Sequence, residues 1–111
     1  MNYSGHDFYC DVALKGEVAL KKEYESERVL AYQHTRPNWP VHIVVAPKKH
    51  IVSLSQLSTD MELQKEILEV LAVLSEKVAK EHGGSRILTN VGAYQDSKHL
   101  HFHINSGTPL K

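Results

Sequence analysis

The sequence predicts an α+β domain in which one long helix is set against an antiparallel sheet. Short apolar runs broken by polar residues fill positions 20–46, a single stretch at 60–82 repeats its apolar positions at three and four, and two more short runs follow. The 111 residues carry 13 Lys and Arg against 13 Asp and Glu, with 41% hydrophobic side chains. That balance suits one domain, 1–111, and offers no general attraction to nucleic acid or to an acidic membrane. The longest unbroken apolar run, residues 70–74, is too short to cross a bilayer. No Lys or Arg precedes an apolar stretch at the N-terminus, so no signal peptide is expected. Cys10 is the only cysteine, which excludes an internal disulfide and makes the cytoplasm the expected compartment.

Residues 1–16 have no strong pattern; Phe8, Val12 and Leu14 fit an arm or a short helix. Residues 20–25, 28–33 and 41–46 then read as three strands. The third lies between Pro40 and Pro47 and is apolar on both faces except at His42, so it belongs inside the sheet. Residues 35–40, with Pro37 and Pro40, form a loop that carries Trp39, suited either to stacking on a base or, the preferred reading, to packing in the core or an interface. In the helix, Leu63, Ile67, Val70, Leu71, Leu74 and Val78 make one apolar face for the sheet. Thr59 and Glu62 have the spacing of a capping box, and Gly83 with Gly84 stops the helix. Residues 86–91 and 99–105 supply two further strands, joined by a loop containing Gly92.

Histidine is the anomaly. There are eight, three of them at 99, 101 and 103. Side chains alternate across a strand, so His99, His101 and His103 emerge on one face while Leu100, Phe102 and Ile104 line the other. A merely solvated face would mix Thr, Lys and Glu, which leaves two chemical readings. One is a metal site, since His-x-His supplies neutral nitrogens, but no carboxylate or second cysteine stands nearby to complete it. The other is a metal-free nucleophilic site in which a neutral imidazole attacks phosphorus while its neighbours orient it and bind the phosphate oxygens. His42 alone reads as a core histidine satisfied by a hydrogen bond. Beside a second histidine-bearing strand it reads better as part of a shared site. Lys48 and Lys49 follow the third strand as an ordinary solvated basic pair.

The segment from Pro40 and His42 through Pro47-Lys48-Lys49-His50, followed by His99-Leu100-His101-Phe102-His103-Ile104, resembles the histidine triad (HIT) nucleotide hydrolases and transferases over residues 17–107. The resemblance implies a five-stranded antiparallel sheet with one long helix, extended across a homodimer. It implies attack on the α-phosphorus of a nucleoside phosphoramidate or dinucleoside polyphosphate through a covalent nucleotidyl-histidine intermediate, without cofactor or metal. Carried onto this chain, His101 is the nucleophile, His103 contacts the phosphate, His99 supports the geometry and His42 orients the nucleophile by a hydrogen bond. Asn90 and Gln95 contact the nucleotide.

The chain departs from the family pattern at three places. His34 stands at the sugar position, where the family has a carboxylate. Asp96 replaces the Ser or Thr suited to proton delivery; an ionised carboxylate there repels phosphate, so either it turns away, it is protonated in the complex, or Ser97 takes the role after a one-residue shift. The zinc-binding Cys-x-x-Cys of some members is reduced here to Asp7-x-x-Cys10, leaving Cys10, His50 and His99 as an incomplete set, so no structural metal is expected. Two alternatives to the hydrolase remain: a metal-dependent phosphoesterase and a non-catalytic nucleotide-binding module.

Overall fold

A computed structural model describes residues 20–95 and 97–110; the N-terminal arm, Cys10 and Asp96 lie outside the described residues. Five strands form one antiparallel sheet: β1 (Lys22–Glu25), β2 (Val29–Gln33), β3 (Val41–Pro47), β4 (Arg86–Leu88) and β5 (Phe102–Ser106), in the order β1-β2-β3-β5-β4. As its composition requires, β3 is central. One face of the sheet packs Val29, Ala31, Ile43, Val45 and Ile104 against the Leu63, Ile67, Val70, Leu71, Leu74 and Val78 stripe of the helix α2 (Met61–His82). The opposite face carries a smaller cluster, Leu30, Tyr32, Val44 and Ala46, and beside it the histidines.

Four details differ from the sequence expectation, each for a local reason. The helix cap is Asp60, whose carboxylate accepts the Leu63 N–H, while the Thr59 hydroxyl donates to the Gln56 carbonyl. Thr59 is occupied because a short helix α1 (Leu54–Leu57), absent from the expectation, ends just before it. The strand expected over 86–91 stops at Leu88, where the Thr89 hydroxyl takes the His101 carbonyl at 2.7 Å in place of a ladder bond. The strand expected over 99–105 begins only at Phe102. Pro47, at the end of β3, has no N–H to extend the ladder, and its carbonyl is taken by the His99 ring. The C-terminal stop is as expected: Gly83 adopts φ 90°, and its N–H caps the Ala79 carbonyl.

Candidate active site

His99 therefore lies in a bend and His101 just before β5, with His103 inside the strand. The segment is anchored to the chain beyond β3 by the Leu100 N–H on the Ile51 carbonyl, 2.6 Å. Register places His103 opposite Val44 and Asn105 opposite His42, so β3 and β5 share one polar row on the face away from the helix.

Four imidazoles meet there. The His34 and His42 rings stack with centroids 4.4 Å apart, His42 and His103 lie at 4.9 Å, and His103 and His101 at 4.8 Å edge to face. Trp39 closes over His42 edge-on at 5.2 Å. The fifth, His99, is wholly buried and turned elsewhere: its Nε2 donates to the Pro47 carbonyl at 2.6 Å and its ring sits 5.3 Å from that of His50. The expectation that all three triad rings converge therefore holds for His101 and His103, while His99 contributes its backbone carbonyl.

The hydrogen bonds dictate the tautomers. A backbone N–H only donates, so the Asn38 N–H at 3.1 Å makes His42 Nδ1 an acceptor and leaves the ring hydrogen on Nε2. Nε2 then donates to His103 Nδ1 at 2.7 Å, which puts the hydrogen of His103 on its own Nε2. A carbonyl only accepts, so His101 Nδ1 donates to the His99 carbonyl at 2.9 Å, which leaves Nε2 as the lone-pair nitrogen whenever the ring is neutral. The His42 hydrogen bond thus goes to His103, not to His101 as the resemblance implied. Burial, with His34 and His101 nearby, pushes the His42 imidazole down to about 4; burial, with His101, His42 and His34, pushes His103 down to about 3. Both rings are neutral at pH 7, as the directed chain requires.

The other expected residues are placed less uniformly. His34 joins the cluster, with the Arg36 N–H on its Nδ1 at 2.9 Å. Gln95 turns into its own loop: Nε2 donates to the Val52 and Ser97 carbonyls at 2.7 and 3.3 Å, and Oε1 accepts the Gly92 N–H at 3.1 Å. Ser97 is buried, and Asn90 is half-buried just beyond β4. Among the described residues no group of three His, Cys, Asp or Glu is placed to hold a metal ion. Sequence reasoning missed the Asn38 N–H, a backbone group that no side-chain pattern reveals. It also did not single out Asn105, the next residue of the alternation 99, 101, 103 and the one paired with His42 in the sheet.

The HIT domain family matches residues 15–110 of this sequence. The chain belongs to the HIT domain family. An uncharacterized HIT-like protein of Helicobacter pylori is 35% identical over 96 residues, covering 85% of this chain and 90% of that protein. A histidine triad protein from Clostridium difficile superposes with a TM-score of 0.74 at 36% identity, covering 99% of this chain and 97% of the other. A HIT family hydrolase from Legionella pneumophila superposes at 0.78 with 28% identity, covering 95% and 96%. HIT membership accounts for the fold, a five-stranded antiparallel sheet backed by one long helix.

Proposed function

We propose that this HIT protein is a nucleotide hydrolase or transferase acting at the α-phosphorus of a nucleoside phosphoramidate or dinucleoside polyphosphate, with His101 as nucleophile. The observation that carries the reading is the pairing of opposite hydrogen-bonding characters on adjacent rings. His101 has its lone pair on Nε2 because the His99 carbonyl holds its Nδ1–H, and His103 has an N–H on Nε2 because His42 donates to its Nδ1. In the proposed step His101 Nε2 forms a bond to phosphorus while the bond to the amine or phosphate leaving group breaks. The leaving group departs with the electron pair and takes a proton from solvent, and His103 Nε2–H donates to a phosphate oxygen. Water then attacks the phosphorus and gives up a proton to solvent, the P–N bond breaks with its electron pair returning to Nε2, and the neutral imidazole is regenerated. His42 and the Asn38 N–H are positioning groups for His103, and the His99 carbonyl positions His101. His34, Asn90, Gln95 and Ser97 form the nucleotide-binding side of this reading. Structural relatives described as HIT family hydrolases, from Legionella pneumophila and Clostridium thermocellum, support hydrolysis as the outcome.

The reading includes a cytoplasmic homodimer with no metal requirement. In support of the dimer, β4 is an edge strand of three residues whose Ile87 is exposed. Sedimentation checks it: a monomer at micromolar concentration removes the dimer.

The test is hydrolysis of an adenosine or guanosine 5′-phosphoramidate by the wild type and by His101→Ala, each with and without chelator. Turnover that survives chelation and drops by a factor on the order of 10³ or more in the variant is expected. Loss on chelation marks a metal-dependent phosphoesterase. Tight nucleotide binding without turnover marks a binding module, and full activity in His101→Ala refutes the nucleophile.

A further inference from the structure

The loop that aims the Asn38 N–H has little core to hold it. Residues 35–38 and Pro40 are exposed, and half-buried Trp39 packs inward over His42. Pro37 and Pro40 have φ fixed at about −65°, which leaves few torsions to set, and those at Asn38 decide whether its N–H meets His42. Local hydrogen bonds fix the way into the loop: the His34 N–H donates to the His42 carbonyl at 2.8 Å, and the Arg36 N–H donates to His34 Nδ1 at 2.9 Å. Asn38 itself is reached from beyond β5, where the Leu110 N–H donates to its carbonyl at 2.8 Å.

This contact prolongs the ladder between β3 and β5. Val41 pairs with Ser106, so the same register sets Gly107 against Pro40 and Pro109 against Asn38. Pro40 has no N–H and interrupts the ladder there. Gly107, at φ +87°, passes close against the proline ring: a Cβ on it would lie 3.2 Å from Pro40 Cγ and Cδ. One residue out of register, the ladder resumes at Leu110. Thr108, Pro109 and Leu110 are exposed, so apolar burial does not account for the path of this segment. Its grip on the loop is the backbone bond to Asn38 and the close pass at Pro40. It lies on the β3 side of β5, away from the β4 edge that the proposed dimer uses.

We propose that residues 107–110 form a strap and that the Leu110 N–H is a positioning group for the histidines: by holding the Asn38 carbonyl it keeps the Asn38 N–H on His42 Nδ1, and so keeps a donor on His103 Nε2. While Asn38 donates, His42 and His103 each carry their hydrogen on Nε2. Once Asn38 turns away, His42 Nδ1 takes a hydrogen instead, His42 Nε2 accepts from His103 Nδ1, and His103 Nε2 is left with a lone pair. The two rings switch together, because only then does their 2.7 Å contact keep one hydrogen. A lone pair at His103 Nε2 faces the lone pairs of the phosphate oxygen it should bind. Loss of one exposed backbone hydrogen bond moves such an equilibrium roughly two- to tenfold. The inference rests on the proposed reaction for its catalytic consequence, whereas the tautomers are read without substrate.

The test compares the wild type with Leu110→Pro, which removes the N–H, with Leu110→Ala, which keeps it, and with a chain shortened to end at Pro109. Long-range NMR spectra of 15N-labelled histidine at pH 7.5 distinguish the protonated from the bare nitrogen of each ring, and urea unfolding checks the fold. The wild type and Leu110→Ala should show His42 and His103 with hydrogen on Nε2 alone. In Leu110→Pro and the shortened chain, Nδ1 of both rings should move together toward the protonated position by roughly a tenth or more of the full separation. His101, held by the His99 carbonyl, should not move. In the same two proteins kcat/KM for the phosphoramidate should fall in proportion to the switched fraction. Unchanged His42 and His103 nitrogens in Leu110→Pro, an equal shift in Leu110→Ala, or a shift of all three rings overturns the strap. If Leu110→Pro switches His42 and His103 while the wild type hydrolyses no nucleotide, the strap stands and the proposed reaction falls.

Discussion

Acid should destabilise this protein through its buried imidazoles, and His42 sets the scale. The ring is 4% exposed, both nitrogens are engaged, and its pKa is pushed down from 6.5 to about 4 by burial first and then by His34 and His101. Between those two values the unfolded chain binds the proton and the fold refuses it, so stability falls as pH falls through the window and is fully present above it. At pH 4.5 the unfolded imidazole is almost wholly protonated, whereas His42 in the fold is about one-quarter protonated. Integrated down from pH 7.5, the difference amounts to roughly 2 to 3 kcal/mol, a large part of the 5 to 15 kcal/mol typical of a domain. His103, lowered to about 3 by burial and then by His101, His42 and His34, acts in the same direction and extends the loss below pH 4. The assay is urea unfolding at pH 7.5, 6.0 and 4.5 for the wild type and His42→Asn, which carries no titrating ring. Carboxylate titration is common to both proteins and cancels, so the difference between their pH slopes reports the loss of the His42 ring together with the change this makes at His103. The variant should lose at least about 2 kcal/mol less than the wild type across this range. Parallel slopes refute the claim that the fold holds His42 neutral.

Two stability predictions separate local causes. Asp60→Ala should cost about 1 kcal/mol in thermal or urea unfolding while Thr59→Ala costs less, because the Leu63 N–H is satisfied by Asp60 alone; the reverse order restores the capping box. Gly107→Ala should cost about 1 to 2 kcal/mol for its φ of +87°, and more because the new Cβ lies 3.2 Å from Pro40 Cγ and Cδ; an unchanged midpoint shows that the turn relaxes.

Periodicity made most of the fold legible. The three-and-four repeat in α2 could bury only one face, and a strand apolar on both sides could only be interior, so β3 came out central with histidines on the face away from the helix. Alternation also put His101 and His103 together, but not where His99 points its ring. Strand parity says which side a residue leaves from; it does not say that the strand stops at Phe102 or that the Pro47 carbonyl lies where His99 can donate to it. The partner of His42 was hidden for a similar reason. Its direction depends on one backbone N–H, at Asn38, in a loop whose conformation follows from two prolines and the packing of Trp39.

That backbone N–H has consequences well beyond its own hydrogen bond. Asn38 fixes the His42 tautomer, His42 fixes that of His103, and the result is a ring presenting N–H beside one presenting a lone pair. If His42 alone reversed its tautomer, a lone pair would face a lone pair at 2.7 Å, and if His103 alone reversed, two N–H groups would face each other, either at a cost comparable to leaving a buried polar group unsatisfied, about 1 to 3 kcal/mol. The chain can therefore hold a donor beside an acceptor without a charge on either of the two inner rings. In the proposed mechanism this avoids a particular conflict: a protonated His103 would bind phosphate more strongly but would lose its Nδ1 lone pair and with it the His42 bond. A neutral clamp keeps the phosphate oxygens loosely held and the product released. On this account tighter anion binding has to come from outside the imidazole cluster.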